Sequence, residues 1–364
     1  MSKKVKYLCL IIVASIFVIY VFVASRPIPA ETILTPQWFT SLESNYSIAK
    51  PVDPSQNTAL VPFRLGNRYG YVDAAGNFAI NQAQRGYVSI TSDYWSEYDK
   101  IPESITVHNP ANEIAVTIDG THGYPMFLDK RIFLVNRERT SLSALDDSGQ
   151  IAWTYDFSSL ITTIDAANGF VIAGLLHGAV EILDSNGRRV FSFEPGGSRL
   201  AVITGCGISK DATRIAIVSG VDPQRFLLLE RYGDTENIEY RTVYHQFLEE
   251  GTRQPVHVEF VDNDRYVAFE RQDGLGLYDI NARTSLKVPL EGQIIEIDKV
   301  GDDHILFLLT AQNNNEKRLV AVRFPGELIF EAPFRSNNFF LSRQGSRIYI
   351  GGNTTLASFE LEKK

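Results

Sequence analysis

The sequence predicts an all-β fold, a single β-propeller of seven four-stranded blades, preceded by one N-terminal transmembrane helix. Three observations carry this expectation. After Val61 helical periodicity is nearly absent, and short β-branched or aromatic runs alternate with clusters of Gly, Asp and Asn. A strand phrase returns in Arg131-IFLVN, Gly169-FVIAG, Arg214-IAIVS, Arg265-YVAFE, His304-ILFLL and Arg347-IYIGG, with steps of 38, 45, 51, 39 and 43 residues between the first apolar positions. Third, Tyr7 to Ala24 is an uncharged run of 18 residues.

That apolar run is long enough to cross a hydrocarbon core of ~30 Å at ~1.5 Å per residue. Lys3, Lys4 and Lys6 precede it and only Arg26 follows closely, so the positive-inside rule keeps residues 1–6 cytoplasmic and sends the bulk of the chain across a bacterial cytoplasmic membrane. A cleaved signal, cut near Val23-Ala24-Ser25, is the competing reading and leaves the domain on the same side. Cys9 lies inside the run with no lipobox before it, which argues against a lipoprotein. With 7–25 as anchor, residues 26–59 read as a Pro-, Ser- and Asn-rich spacer in which Gln37 to Leu42 form a short helix packed on the domain, and 60–362 form the propeller.

A period of ~40–50 residues with several strands per unit is what a four-stranded blade requires, whereas solenoid repeats are shorter or helical. Blades fall near 87–125, 126–158, 160–198, 200–248, 255–290, 292–334 and 336–362. The surplus strands at Tyr69 to Ile80 are then expected to complete the last blade and remove its open edge. The irregular stretch from Tyr87 to Gly120 leaves six or eight blades open as alternatives. Hairpins are clearest at 141–157 and 179–195, where Gly149 and Gly187 supply positive φ and the neighbouring Asp residues close the turn onto the backbone.

Ala144, Asp146 or Asp147, Gly149 and Trp153 resemble the outer-strand motif of quinoprotein-like propellers; in the next unit Phe191 replaces the Trp. GNRYGYVDAAGNFAI (66–80) resembles a WG-type repeat, and CGISKDATRIAIVSG (206–220) and FFLSRQGSRIYIGG (339–352) resemble WD40 strands. These resemblances imply blade architecture without a chemistry. A quinoprotein dehydrogenase would need a cofactor-stacking Trp and a calcium site, and Trp38, Trp95 and Trp153, one of them in the spacer, suit that poorly.

A hydrophobic fraction of 44% with 21% charged residues is that of a folded chain, and a net charge of −8 without a basic block beyond the N-terminus excludes a nucleic-acid partner. Cys9 and Cys206 give no disulfide framework, and Cys206 reads as a small buried hydrophobe. The six histidines form no metal-binding spacing. The pairs Asp146-Asp147, Glu249-Glu250 and Asp302-Asp303 fall in turns, and no nucleophile elbow or phosphate loop occurs. No catalytic, cofactor or metal site is therefore expected. Two features remain: Tyr94, Trp95 and Tyr98 as a ligand-stacking surface, and His257 with Glu259, which alternate on one strand face, as channel lining. The expected function is non-catalytic binding or scaffolding of envelope proteins or glycans from a membrane tether, the alternative being an extracytoplasmic enzyme of quinoprotein or glycosidase type that uses the channel. Oligomeric state is not legible.

Overall fold

The computed structural model describes residues 32–43, 60–120, 123–233, 238–249, 251–298, 304–312 and 316–363. The anchor expected at Tyr7 to Ala24 lies outside these residues; within them no helix is long and apolar enough to cross a membrane. Two compact units divide the chain, Pro36–Glu360 and a small one of Met1–Thr35 with Leu361–Lys364.

Within the larger unit eight antiparallel sheets follow one another in chain order, at 61–83, 87–119, 123–156, 161–193, 200–248, 258–289, 293–335 and 339–360, and are numbered here as blades 1 to 8. The first strand of each blade packs beside the first strand of a neighbour, and Val61–Leu65 of blade 1 meets Phe339–Gln344 of blade 8, so the ring closes. Blades 2 to 7 are four-stranded meanders; blade 1 has three strands among the described residues.

The structure corrects the expected count from seven to eight. The segment at Tyr69 to Ile80 does not complete the last blade but belongs to a blade of its own, too short to register against a ~40-residue period. The strand that completes blade 8 is Thr32–Ser41, paired outside Thr355–Lys363, where a short helix over Gln37 to Leu42 was expected. Pro36 is tolerated there because an outermost strand needs its donors on one side only. Leu42 N–H donates to Thr354 O (2.8 Å) and Asn81 Nδ2 to Leu42 O (3.1 Å), which fixes the end of that strand against blades 8 and 1.

The core lies between blades. One cluster joins Phe63, Leu65 and Val72 of blade 1 to Tyr349 and Leu356 of blade 8; another joins Phe133 and Leu142 of blade 3 to Val171 and Leu183 of blade 4. Two turn expectations hold. Asp146 Oδ1 accepts from the N–H groups of Ser148 and Gln150, both at 2.9 Å, and Asp184 Oδ1 accepts likewise from Asn186 and Arg188. Trp153 spans two blades: its Nε1 donates to Ser185 O (2.9 Å), and a methyl group on Gly187 would meet the ring at 2.5 Å.

Polar groups link the back face, where the first strands of blades 2 to 8 end. Gly169 N–H donates to Asp129, Asn168 Nδ2 to Asp211 O, Lys210 N–H to Asp264, and His304 Nδ1 pairs with Asp262. His304 is thus a blade-to-blade clamp. On the front face buried Glu270 bridges blades 6 and 7, accepting from His257 N–H (3.3 Å) and Ile294 N–H (3.1 Å). Burial pushes its carboxyl up to about 7, against the pull of the two backbone donors. A carboxyl raised on folding takes up a proton, so its stabilisation is complete below about pH 4.5 and is lost as pH rises through about 7. Thermal melts between pH 5 and 8 are expected to show Tm falling across this window, and Glu270→Gln to flatten that slope; an unchanged slope in the variant would assign the effect elsewhere.

Candidate functional site

A cavity of about 830 Å³ opens along the first strands of blades 8, 1, 2 and 3, with Glu296 of blade 7 at its margin. Strand alternation explains its wall, since every second side chain of these strands points away from the interblade core. In Val61–Leu65, Val61, Phe63 and Leu65 are buried while Arg64 is exposed. Phe127, Phe339 and Met126 supply apolar wall, and Ser89, Thr91 and Ser342 supply hydroxyls.

The polar groups are partly ordered by the fold. Ser89 Oγ donates to Pro125 O (2.8 Å) and stands 3.4 Å from Tyr98 Oη. Tyr71 Oη, buried behind the wall, donates to Thr91 O (2.7 Å) and ties blade 1 to blade 2. Burial pushes the Tyr124 phenol up, partly opposed by Arg139, so it presents a neutral hydroxyl at physiological pH. Arg64 Nη1 reaches Val88 O at 3.5 Å. Among the described lining residues Arg64 is the cation and Glu296 the carboxylate. A wall of this kind can hold a ligand by apolar contact, hydroxyl hydrogen bonds and one charge pair; glycoside hydrolysis would require two carboxyl groups astride the bond.

Of the three aromatics singled out in the sequence, only Tyr98 reaches this cavity, where it stacks with Tyr87 (centroids 6.0 Å). Trp95 is buried in the core between blades 1 and 2, against Tyr69 (5.6 Å) and His108 (4.4 Å), with Nε1 donating to Asn109 O. Tyr94 is half-buried against Phe127 at 5.6 Å. His257 directly precedes, and Glu259 belongs to, the first strand of blade 6; both are half-buried, and the cavity wall is built by other blades.

Cys206 lies buried on the first strand of blade 5, and burial, then the Asp165 charge, push its thiol up to about 12, which suppresses the nucleophilic thiolate. Among the described residues no three His, Cys, Asp or Glu side chains converge to hold a metal. His122, Glu250, Asp302 and Asp303 lie outside the described residues. Arg64, Tyr124 and Glu296 were not legible as site residues, because each sits in an ordinary strand phrase and only ring closure turns them to one cavity.

A family model described as beta-propeller protein matches residues 1–364. An uncharacterized protein of Treponema pallidum (strain Nichols) is 27% identical over 344 residues, covering 90% of this chain and 89% of its own. Among solved structures the chain is similar to BamB from Moraxella catarrhalis, with a TM-score of 0.57 and 11% identity over 90% of this chain and 100% of that one. A computationally designed protein matches with a TM-score of 0.59 and 14% identity over 84% and 97% of the two chains. At these identities the solved structures speak to fold alone.

Proposed function

This chain belongs to the β-propeller proteins, and on that premise we propose that it is a non-catalytic binding protein, tethered to the bacterial cytoplasmic membrane by residues 7–25 and presenting its propeller to an envelope protein or glycan. The observation that carries the reading is the composition of the 830 Å³ cavity: aromatic and aliphatic walls, scattered hydroxyls, and one arginine and one glutamate among the described lining residues. Binding sites of this type take affinity from apolar burial and orientation from a few polar groups. A rigid ring suits the task, because loops and strand edges are displayed without a conformational cost on association.

The membrane tether rests on the uncharged run at Tyr7 to Ala24 and the lysines before it. The test is photo-crosslinking in intact membranes, with a benzophenone side chain replacing Met126 in the cavity or Ile151 on an exposed outer strand, against an anchor-only control. One envelope component is expected to be captured through the cavity position and to be lost on competition with unlabelled protein. Capture of nothing beyond the control at any position would remove the binding role. Release of the protein from membranes by alkaline carbonate would remove the tether.

A further inference from the structure

The front face of blades 4 and 5, across the ring from the cavity, carries apolar side chains that the core does not use. Leu160 in the link before blade 4, Leu176 in the turn after its second strand, and Leu200 at the start of blade 5 are 41%, 46% and 48% exposed. They are neighbours: Leu176 N–H donates to Leu160 O (2.9 Å), and a methyl group on Gly178 would meet Ala201 at 2.6 Å. The outer strands of blades 2, 3, 6 and 7 carry one exposed large apolar side chain each, Ile114, Ile151, Leu286 and Leu328. Scattered single side chains are ordinary on any surface, whereas a contiguous group marks an interaction site.

Beside the leucines a depression of about 20 Å³ opens between Gly178, Pro195, Ala201, Val202 and Gly220, with room for one water-sized group. The first strand of blade 5 bulges there, with Ala201 and Val202 opposite Gly220 alone. Ser219 lines the depression and is 3% exposed, and its Oγ has no hydrogen-bond partner among the described residues. A buried hydroxyl left unpaired is costly until water or a ligand supplies the missing bond. On the far side Arg225 donates through Nη1 to the carbonyls of Pro195 and Gly196, both at 3.2 Å, and lies 5.0 Å over the half-exposed Phe247 ring. Its Nε is buried without a partner, and among the described residues no carboxylate pairs with it. The other charged groups round the patch are Arg139, His177 and Arg199 against Glu138, Glu194 and Asp222, and Asp222 is taken by Arg199 (3.0 Å).

We propose that the front face of blades 4 and 5 is a docking surface for an acidic, apolar segment of an envelope protein. An apolar side chain of that segment lies on Leu160, Leu176 and Leu200, one of its oxygens enters the depression to accept from Ser219 Oγ, and its carboxylate pairs with Arg225. Each of the three contacts answers a separate need of the surface: exposed apolar area, an unpaired hydroxyl and a cation without a counter-charge. Apolar burial supplies affinity, while the hydrogen bond and the charge pair fix orientation. This inference rests on the binding reading above and adds a second contact surface with the partner's chemistry.

The probe is a benzophenone side chain in place of Leu176, in the full-length protein in intact membranes, with the crosslinked peptide identified by mass spectrometry. One envelope protein is expected, joined through a segment that holds Asp or Glu beside an apolar residue. Ser219→Ala is expected to leave Tm unchanged or raised, because the hydroxyl has no partner in the fold, and to lower the crosslink yield about five-fold or more. Arg225→Glu is expected to lower it at least about ten-fold, and Arg225→Lys to keep part of it, which separates the charge from the packing on Phe247. A yield unmoved by Ser219→Ala means that the hydroxyl serves a bound water only, and a fall in Tm assigns it to the fold; either overturns the proposal. So does a yield unmoved by Arg225→Glu, an equal loss in Arg225→Lys, or a captured segment without a carboxylate. Capture of a glycan or lipid at this position overturns it too. Capture through Met126 but never through Leu176 removes this surface and leaves the binding role standing, whereas capture through Leu176 alone sustains the surface and removes the cavity from that role.

Discussion

Replacing Arg343 with alanine is expected to destabilise the propeller by about 3–5 kcal/mol, because it strands a carboxylate in the core between blades 7 and 8. Arg343 and Asp298 are 1% and 4% exposed, with Nη1 and Oδ2 3.6 Å apart. The guanidinium also donates to Ile305 O (2.9 Å) and Gly345 O (2.8 Å), and lies 5.3 Å over the Phe307 ring. Alanine removes every one of these interactions and takes the guanidinium from beside Asp298 in a low-dielectric seam. Replacing both partners at once, with Arg343→Met and Asp298→Leu, is expected to recover most of the loss, since an apolar pair of similar volume has no desolvation penalty. Thermal or urea unfolding of the two single variants and the double variant tests this. If the double variant is as unstable as the sum of the singles, the penalty is not that of an orphaned charge.

Removing residues through Ser41 is expected to cost still more, because it opens Thr355–Lys363 as a bare strand edge. The predicted outcome is loss of a single cooperative melt, with aggregation on heating. Trp38→Ala samples the same seam more gently. Its ring packs against Tyr349 (centroids 6.0 Å) and over Gly76, and its Nε1 donates to Ala74 O at 3.0 Å, so blade 8 is pinned to blade 1. A loss of about 3 kcal/mol is expected, and Trp38→Phe should recover the packing share but not the hydrogen bond. An unchanged melt for both truncation and substitution would mean that the ring is closed by other contacts.

Blade-building features could be read residue by residue because they are local. Asp146, Gly149 and their counterparts Asp184 and Gly187 make the hairpin turns expected of them, and Trp153 of the outer-strand motif packs across a blade boundary. Cys206 is buried, as expected of a small hydrophobe. The aromatic cluster was only partly legible. Tyr94, Trp95 and Tyr98 are close in sequence, yet strand alternation and the neighbouring blades send Trp95 into the core and leave Tyr98 at the cavity. Nothing local marked Arg64 or Glu296, which are 232 positions apart in the chain and line one cavity only because the ring closes.

The sequence by itself determined the all-β class and the blade as the repeating unit, since alternation and turn chemistry are set by residues two to six positions apart. Tertiary structure alone decided the count of eight, the recruitment of Thr32–Ser41 as the closing strand of blade 8, and the closure of the ring between Val61–Leu65 and Phe339–Gln344. Those outcomes depend on which strand edges remain to be paired once the chain has come round on itself. Edge pairing between residues hundreds of positions apart leaves no periodic mark in the sequence.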